Sequence, residues 1–153
     1  MIAAELTRAL SGEHVSYEVI PHRHTETARE EALEIGLSEV AKTVVVATDK
    51  GFVRAVIPAV ARLDLVKLAA VLYGRTDVRL ASEEEMAGAY PMFDLGAVPP
   101  VGGPAGDRTV LDRHLALRES IVFEAGSHDS SVRMRTNDVV RLTDAVVDNI
   151  CKS

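Results

Sequence analysis

The chain has one cysteine, no tryptophan and only 4% aromatic residues among its 153 positions. A single thiol, Cys151, excludes an internal disulfide and a cysteine-rich metal site, and it suits a reducing compartment. In a terminal turn it is also a poor candidate nucleophile. No apolar run approaches the roughly 20 residues that span a bilayer. The opening stretch Met1-Ile2-Ala3-Ala4-Glu5-Leu6-Thr7-Arg8 lacks the basic-then-apolar layout of a secretory signal. A cytoplasmic location with no membrane partner is therefore expected. No Gly-x-Ser-x-Gly elbow is present, and no Gly-rich loop ends in Gly-Lys-Ser or Gly-Lys-Thr, so the common nucleophile and nucleotide motifs are missing. Basic residues are outnumbered, 17 Lys and Arg against 23 Asp and Glu, for a net charge of −6. Extended contact with a nucleic-acid backbone draws on clustered cations, so this balance argues against it and leaves room only for a small contact with a nucleic-acid end.

What the sequence does contain is a steady alternation of helical and strand patterns, with no linker, low-complexity segment or fixed-period repeat. One domain over residues 1–153 is expected, long enough to bury about two-thirds of its unfolded surface. A first helix ends near Gly12, and residues 15–20 alternate as a strand stopped by Pro21. Thr27 with Glu30 forms a capping-box signature for a helix that ends at Gly36. Residues 42–48 and 52–57 flank Asp49-Lys50-Gly51 as a β-hairpin ended by Pro58. Asp64 caps a helix through Leu65, Leu68 and Leu72, and Ser82-Glu83-Glu84-Glu85 opens another after a strand at 78–81. The Gly- and Pro-rich stretch 90–106 reads as a long loop, of the kind that is either functional or disordered. Strands follow at 108–111, 121–124 and 132–135, and Thr136 caps a last helix that runs towards Ile150. The fold class expected is α/β: a mixed, partly barrel-like sheet surrounded by helices.

Lys42 stands immediately before the apolar run Thr43-Val44-Val45-Val46-Ala47. A lysine there is either a solvated flank of the strand or a cation held at the mouth of a pocket. The segment Gly96-Ala97-Val98-Pro99-Pro100 is either a rigid structural loop or a cradle. Its glycine would let backbone N–H groups approach an ester carbonyl or ribose oxygen, and its prolines would fix them in place. His128, within Gly126-Ser127-His128-Asp129, is either a turn residue or a donor or acceptor at a pocket rim. His22, His24 and His128 admit a metal-dependent hydrolase reading, but their spacing matches no established zinc pattern, and no metal or other cofactor is expected.

In order and spacing, His24 and Thr27 before a helix, Ala41-Lys42-Thr43 at a buried strand, Gly96-x-x-x-Pro100 and Gly126-Ser127-His128 resemble the YbaK/ProX family of aminoacyl-tRNA deacylases. That family includes the editing insertion domain of bacterial prolyl-tRNA synthetases. The resemblance covers residues from about 15 to 142. It implies a trans-editing hydrolase that removes a small amino acid such as Ala or Cys from mischarged tRNA for proline. Lys42 then corresponds to the family's lysine at the terminal adenosine and its phosphate. Gly96 and Pro100 match the loop whose backbone positions the aminoacyl group, with Ala97, Val98 and Pro99 between them. His128 resembles the histidine lining the amino-acid pocket, and His24, Thr27, Thr43 and Ser127 complete the substrate-binding set. Catalysis would rest on water or the ribose 2′-hydroxyl. The partners implied are an aminoacyl-tRNA acceptor end and an aminoacyl-tRNA synthetase. The alternative is a module that binds a tRNA end, a nucleotide or a synthetase without chemistry.

Overall fold

The computed structural model describes residues 3–21, 39–103 and 106–153. In chain order they form α1 (Ala4–Leu10), β1 (Tyr17–Pro21), β2 (Ala41–Thr48), β3 (Gly51–Pro58), α2 (Leu65–Val71), β4 (Arg79–Leu80), α3 (Glu83–Ala89), β5 (Arg108–Asp112), α4 (Arg113–Ala116), β6 (Ser120–Glu124), β7 (Ser130–Arg135), α5 (Thr136–Thr143) and β8 (Val146–Asp148). The strands make two sheets, ordered β1-β7-β6 and β4-β2-β3-β5-β8. The larger sheet is mixed: β2 pairs antiparallel with β3 and β4, whereas β3–β5 and β5–β8 are parallel. A parallel bridge between Val40 and Val122 joins the two sheets, which are not closed into a barrel.

The β2–β3 hairpin forms as its sequence dictates, with Thr48 opposite Gly51 and Ala41 opposite Pro58. Gly51, at φ 109°, supplies the turn conformation that a side chain would resist. Strand alternation then decides what faces what. Val46, Val53, Ala55 and Ile57 pack against Leu68 and Leu72 around α2. Ala41 and Val56 face the opposite way, into a core shared with Leu6, Leu111, Ile121, Phe123 and Met134. Burying each such Leu, Ile or Phe contributes roughly 1.5–3 kcal/mol, so this two-sided packing fixes the register of β2. Asp64 caps α2 by accepting from the N–H groups of Val66 and Lys67, and Ser82 with Glu85 forms the capping box of α3.

Four features depart from the sequence reading. The first strand runs Tyr17–Pro21 and, among the described residues, pairs with β7. Thr136 is not a cap: its N–H is taken by the Glu119 carbonyl at 3.0 Å, its side chain is buried, and the N-cap position falls to Arg135. The last helix stops at Thr143, where Asp144 turns left-handed at φ 52°, and the β-branched Val146 and Val147 then join the sheet as β8 beside β5. The short α4, capped by Asp112, lies where no helix was expected. The capping box at Thr27 and Glu30 lies outside the described residues.

Candidate active site

Within β2, alternation places Lys42 with Val44 and Val46 on the side of α2, and Thr43 with Ala41 and Val45 on the side of the Gly- and Pro-rich loop. On the loop side a narrow cavity of about 10 Å³ is bordered by Lys42, Thr43, Gly96, Val98, Phe123 and Glu124. That is close to the space one water molecule needs. On the other side Lys42 borders an open groove of about 470 Å³, which also carries Arg62, Lys152 and Asp64. Asp64 spends its carboxylate on the α2 cap, so the groove presents three cations around a carboxylate that is already engaged. Lys42 thus stands at the boundary between a water-sized cavity and a cation-lined groove.

The 96–103 segment is held in place from beneath. Arg54, a cation in the middle of the apolar strand β3, is only 2% exposed. Its guanidinium donates to the carbonyls of Pro99 (2.8 Å) and Gly102, and it pairs with Asp107 at 2.6 Å. The Tyr90 hydroxyl donates to the same Asp107 oxygen at 2.7 Å, and the Tyr90 ring lies 5.1 Å from the guanidinium carbon. Two backbone bonds fasten the other end of the segment, Asp94 N–H to the Gly126 carbonyl (2.8 Å) and Ala97 N–H to the Asp94 carbonyl (3.0 Å). Gly96 adopts φ 84°. Pro99 and Pro100 have no N–H and that of Ala97 is engaged, so the donors the 96–100 loop can offer a ligand are those of Gly96 and Val98. Both residues border the cavity.

His128 is buried beside the turn between β6 and β7. Its Nε2 is 2.6 Å from the Leu95 carbonyl, which can only accept, so that nitrogen carries a proton. Its Nδ1 lies 3.0 Å from Glu124 Oε2. Glu124 ends the otherwise apolar strand β6 and is 5% exposed. Burial, with the neighbouring charge of Asp94, pushes its carboxyl up to about 8. Neither Glu124 oxygen makes a well-aligned hydrogen bond among the described residues, and the buried Thr43 hydroxyl likewise has no such partner there.

Of the residues singled out from the sequence, the structure brings Lys42, Thr43, Gly96 and Val98 to one cavity. Ala97, Pro99 and Pro100 are buried behind it, and His128 reaches it through Leu95 and Glu124. Ser127 donates to Asp129 at 2.8 Å within the turn. His22, His24 and Thr27 lie outside the described residues. Sequence reasoning missed Glu124 and Arg54, though each had a signal: a lone carboxylate closing Ile121-Val122-Phe123, and a lone cation inside Val53-Arg54-Ala55. Cys151 packs on the α2 side, away from the cavity, and burial pushes its thiol up to about 12, which leaves no thiolate at neutral pH.

Comparison with known proteins bears on the fold and the family. Two crystal structures superpose over nearly the whole chain. One is of a hypothetical protein, with a TM-score of 0.86, 26% identity and coverage of 97% of this chain and 99% of that one. The other is of a proposed trans-editing enzyme for prolyl-tRNA synthetase, with a TM-score of 0.82, 25% identity and coverage of 97% and 93%. A search of the curated proteins found no match. The profile of the aminoacyl-tRNA editing domain matches residues 21–142. With that match spanning most of the sequence, the chain belongs to the aminoacyl-tRNA editing domain family, in its YbaK-like group.

Proposed function

We propose that the protein is a trans-editing deacylase that hydrolyses the ester of tRNA for proline mischarged with a small amino acid such as Ala or Cys. The observation that carries this reading is the position of Lys42, between a water-sized cavity and a groove that also holds Arg62 and Lys152. An aminoacylated tRNA end has two parts to match: a compact ester, and phosphates that need cations. The ester carbonyl lies against the Gly96 and Val98 N–H groups, which supply oxyanion-type stabilisation as charge develops on it. The terminal phosphates lie along the groove, with Lys42 as the electrostatic link between the two. Attack comes from a water or the ribose 2′-hydroxyl, since Cys151 stays protonated on the far side of the sheet. The basic residues of the groove give a local grip on the acceptor end that the net charge of −6 does not provide over a longer stretch. A synthetase partner would add the affinity that this short contact lacks.

A deacylation panel tests the reading. Purified protein is incubated with alanyl-, cysteinyl-, seryl- and prolyl-tRNA for proline, and each rate is compared with spontaneous hydrolysis. Faster loss of the alanyl or cysteinyl ester, abolished by Lys42→Ala in a variant that keeps its fold, is the expected result. Loss of no ester above the spontaneous rate would make the protein a binding module. Full activity in Lys42→Ala would sink the role given to that lysine.

A further inference from the structure

We propose that Glu124 binds the α-ammonium group of the aminoacyl ester, in the small cavity it shares with Thr43, Gly96 and Val98. The inference rests on the deacylase reading and assigns one more substrate contact to the same site. A carboxyl group 5% exposed is costly unless something compensates it. Yet both Glu124 oxygens lack well-aligned hydrogen bonds among the described residues, and so does the Thr43 hydroxyl on the facing strand. The residues that carry these atoms border a space that holds about one water, while Glu124 Oε2 also faces His128 Nδ1 at 3.0 Å. An ammonium group has that size and brings three donors. A methyl group has the size but not the donors, so the polarity of the walls selects the ammonium over an alanine side chain.

Placement agrees with this choice. In an aminoacyl ester the ammonium-bearing carbon is bonded directly to the ester carbonyl carbon. The two groups must therefore sit side by side, as Glu124 and the Gly96 and Val98 backbone do around one cavity. Charge agrees as well, since Asp94 adds negative potential at Glu124. Burial keeps a proton on the carboxyl while the site is empty. When the ammonium enters, that proton leaves to solvent and a carboxylate–ammonium pair takes its place. His128, with Nδ1 at 3.0 Å, holds the carboxyl from the side and transmits its position to Leu95, the residue before Gly96.

The test compares two esters that differ only at the group in question: alanyl-tRNA and lactyl-tRNA, the latter with a hydroxyl in place of the ammonium. Each rate is divided by that ester's spontaneous rate, because the ammonium itself activates the ester. The wild-type protein is expected to favour the alanyl ester by on the order of 30-fold after this correction, about 2 kcal/mol at a tenfold per 1.4 kcal/mol. In Glu124→Gln that preference collapses towards one. Retention of the preference in Glu124→Gln, or its absence in the wild type, would overturn the proposal. Binding of two non-hydrolysable adenosine amides, alanyl and lactyl, measures the same preference without turnover. A protein that cleaves neither ester but prefers the alanyl amide refutes deacylation and keeps the Glu124 contact. Should Glu124→Gln fail to fold, the carboxyl carbon resonance of Glu124 in the wild type still decides. It is expected to move to its ionised position with the alanyl amide and not with the lactyl one, and no movement with either refutes the contact.

Discussion

Replacing Arg54 with methionine removes the cation that holds the 96–103 segment while leaving a side chain of similar length in β3. The guanidinium is nearly inaccessible, at 3% side-chain exposure, and its partner Asp107 is at 14%. Breaking such a pair from one side typically costs about 3–5 kcal/mol, because the surviving charge stays buried. The carbonyls of Pro99 and Gly102 lose their donors as well, at about 1–3 kcal/mol for each buried acceptor left unsatisfied. Methionine recovers part of this by apolar contact with the Tyr90 ring, and Tyr90 keeps its hydrogen bond to Asp107. We therefore expect Arg54→Met to lose roughly 3–4 kcal/mol of unfolding free energy in urea at neutral pH. The double variant Arg54→Met/Asp107→Asn removes the stranded charge and should recover about 1–2 kcal/mol of that loss, a non-additivity characteristic of contacting residues. Both variants should deacylate poorly, since Gly96 and Val98 would no longer be held in place. A loss under about 1 kcal/mol in the single variant, or a double variant no more stable than the single, would refute the claim that Arg54 and Asp107 act as one buried clamp.

Two further substitutions probe the cavity wall. Gly96→Val forces a β-branched residue into φ 84°, so we expect about 1–3 kcal/mol of destabilisation in urea together with loss of ester hydrolysis; unchanged stability and turnover would mean that the left-handed glycine is dispensable. Glu124→Gln tests the buried carboxyl through pH. In the folded protein the group titrates near 8 rather than at its ordinary 4.5, so the native state retains a proton that the unfolded chain releases. The wild type's stability from this group is full below about 4.5 and drains away as pH climbs towards 8. Glutamine does not ionise, so the variant's stability relative to wild type should rise through that window, by on the order of 5 kcal/mol, and level off above it. Unfolding midpoints measured from pH 4 to about 9 check this, and a flat difference would mean that Glu124 is ionised throughout.

Sequence and structure agree where the signal is local. The Asp49-Lys50-Gly51 turn, the Asp64 cap and the Ser82–Glu85 capping box each involve residues a few positions apart, and all form as read. Agreement fails where the cause is distant. Val146 to Asp148 continue a helical pattern until their parallel pairing with Val110 to Asp112, more than thirty residues earlier, draws them into the sheet. The same distinction runs through the site. Lys42 and Gly96 stood out because a cation before an apolar run and a glycine before two prolines are visible in one dimension. Glu124 is, in the sequence, simply the last residue of a predicted strand. Its interest comes from burial, from Asp94 and from a histidine that arrives by way of the following turn. Arg54 is a lone cation inside an apolar strand, and only the fold shows that its side of β3 lies under the loop.

The attachment of the 96–103 segment changes what kind of object it is. Surface loops ordinarily open by themselves, at little free energy, and their amide protons exchange with solvent long before those of the core. This one is fastened to an interior strand at Pro99 and Gly102 and to the β6–β7 turn at Asp94 and Leu95. To swing outward it must give up two buried bonds to a guanidinium, so it opens at a higher free energy than a loop held only at its ends. Under the proposed function, the wall of the cavity depends on the integrity of the core: a substitution far from the cavity that loosens β3 would lower ester hydrolysis before it lowered the amount of folded protein.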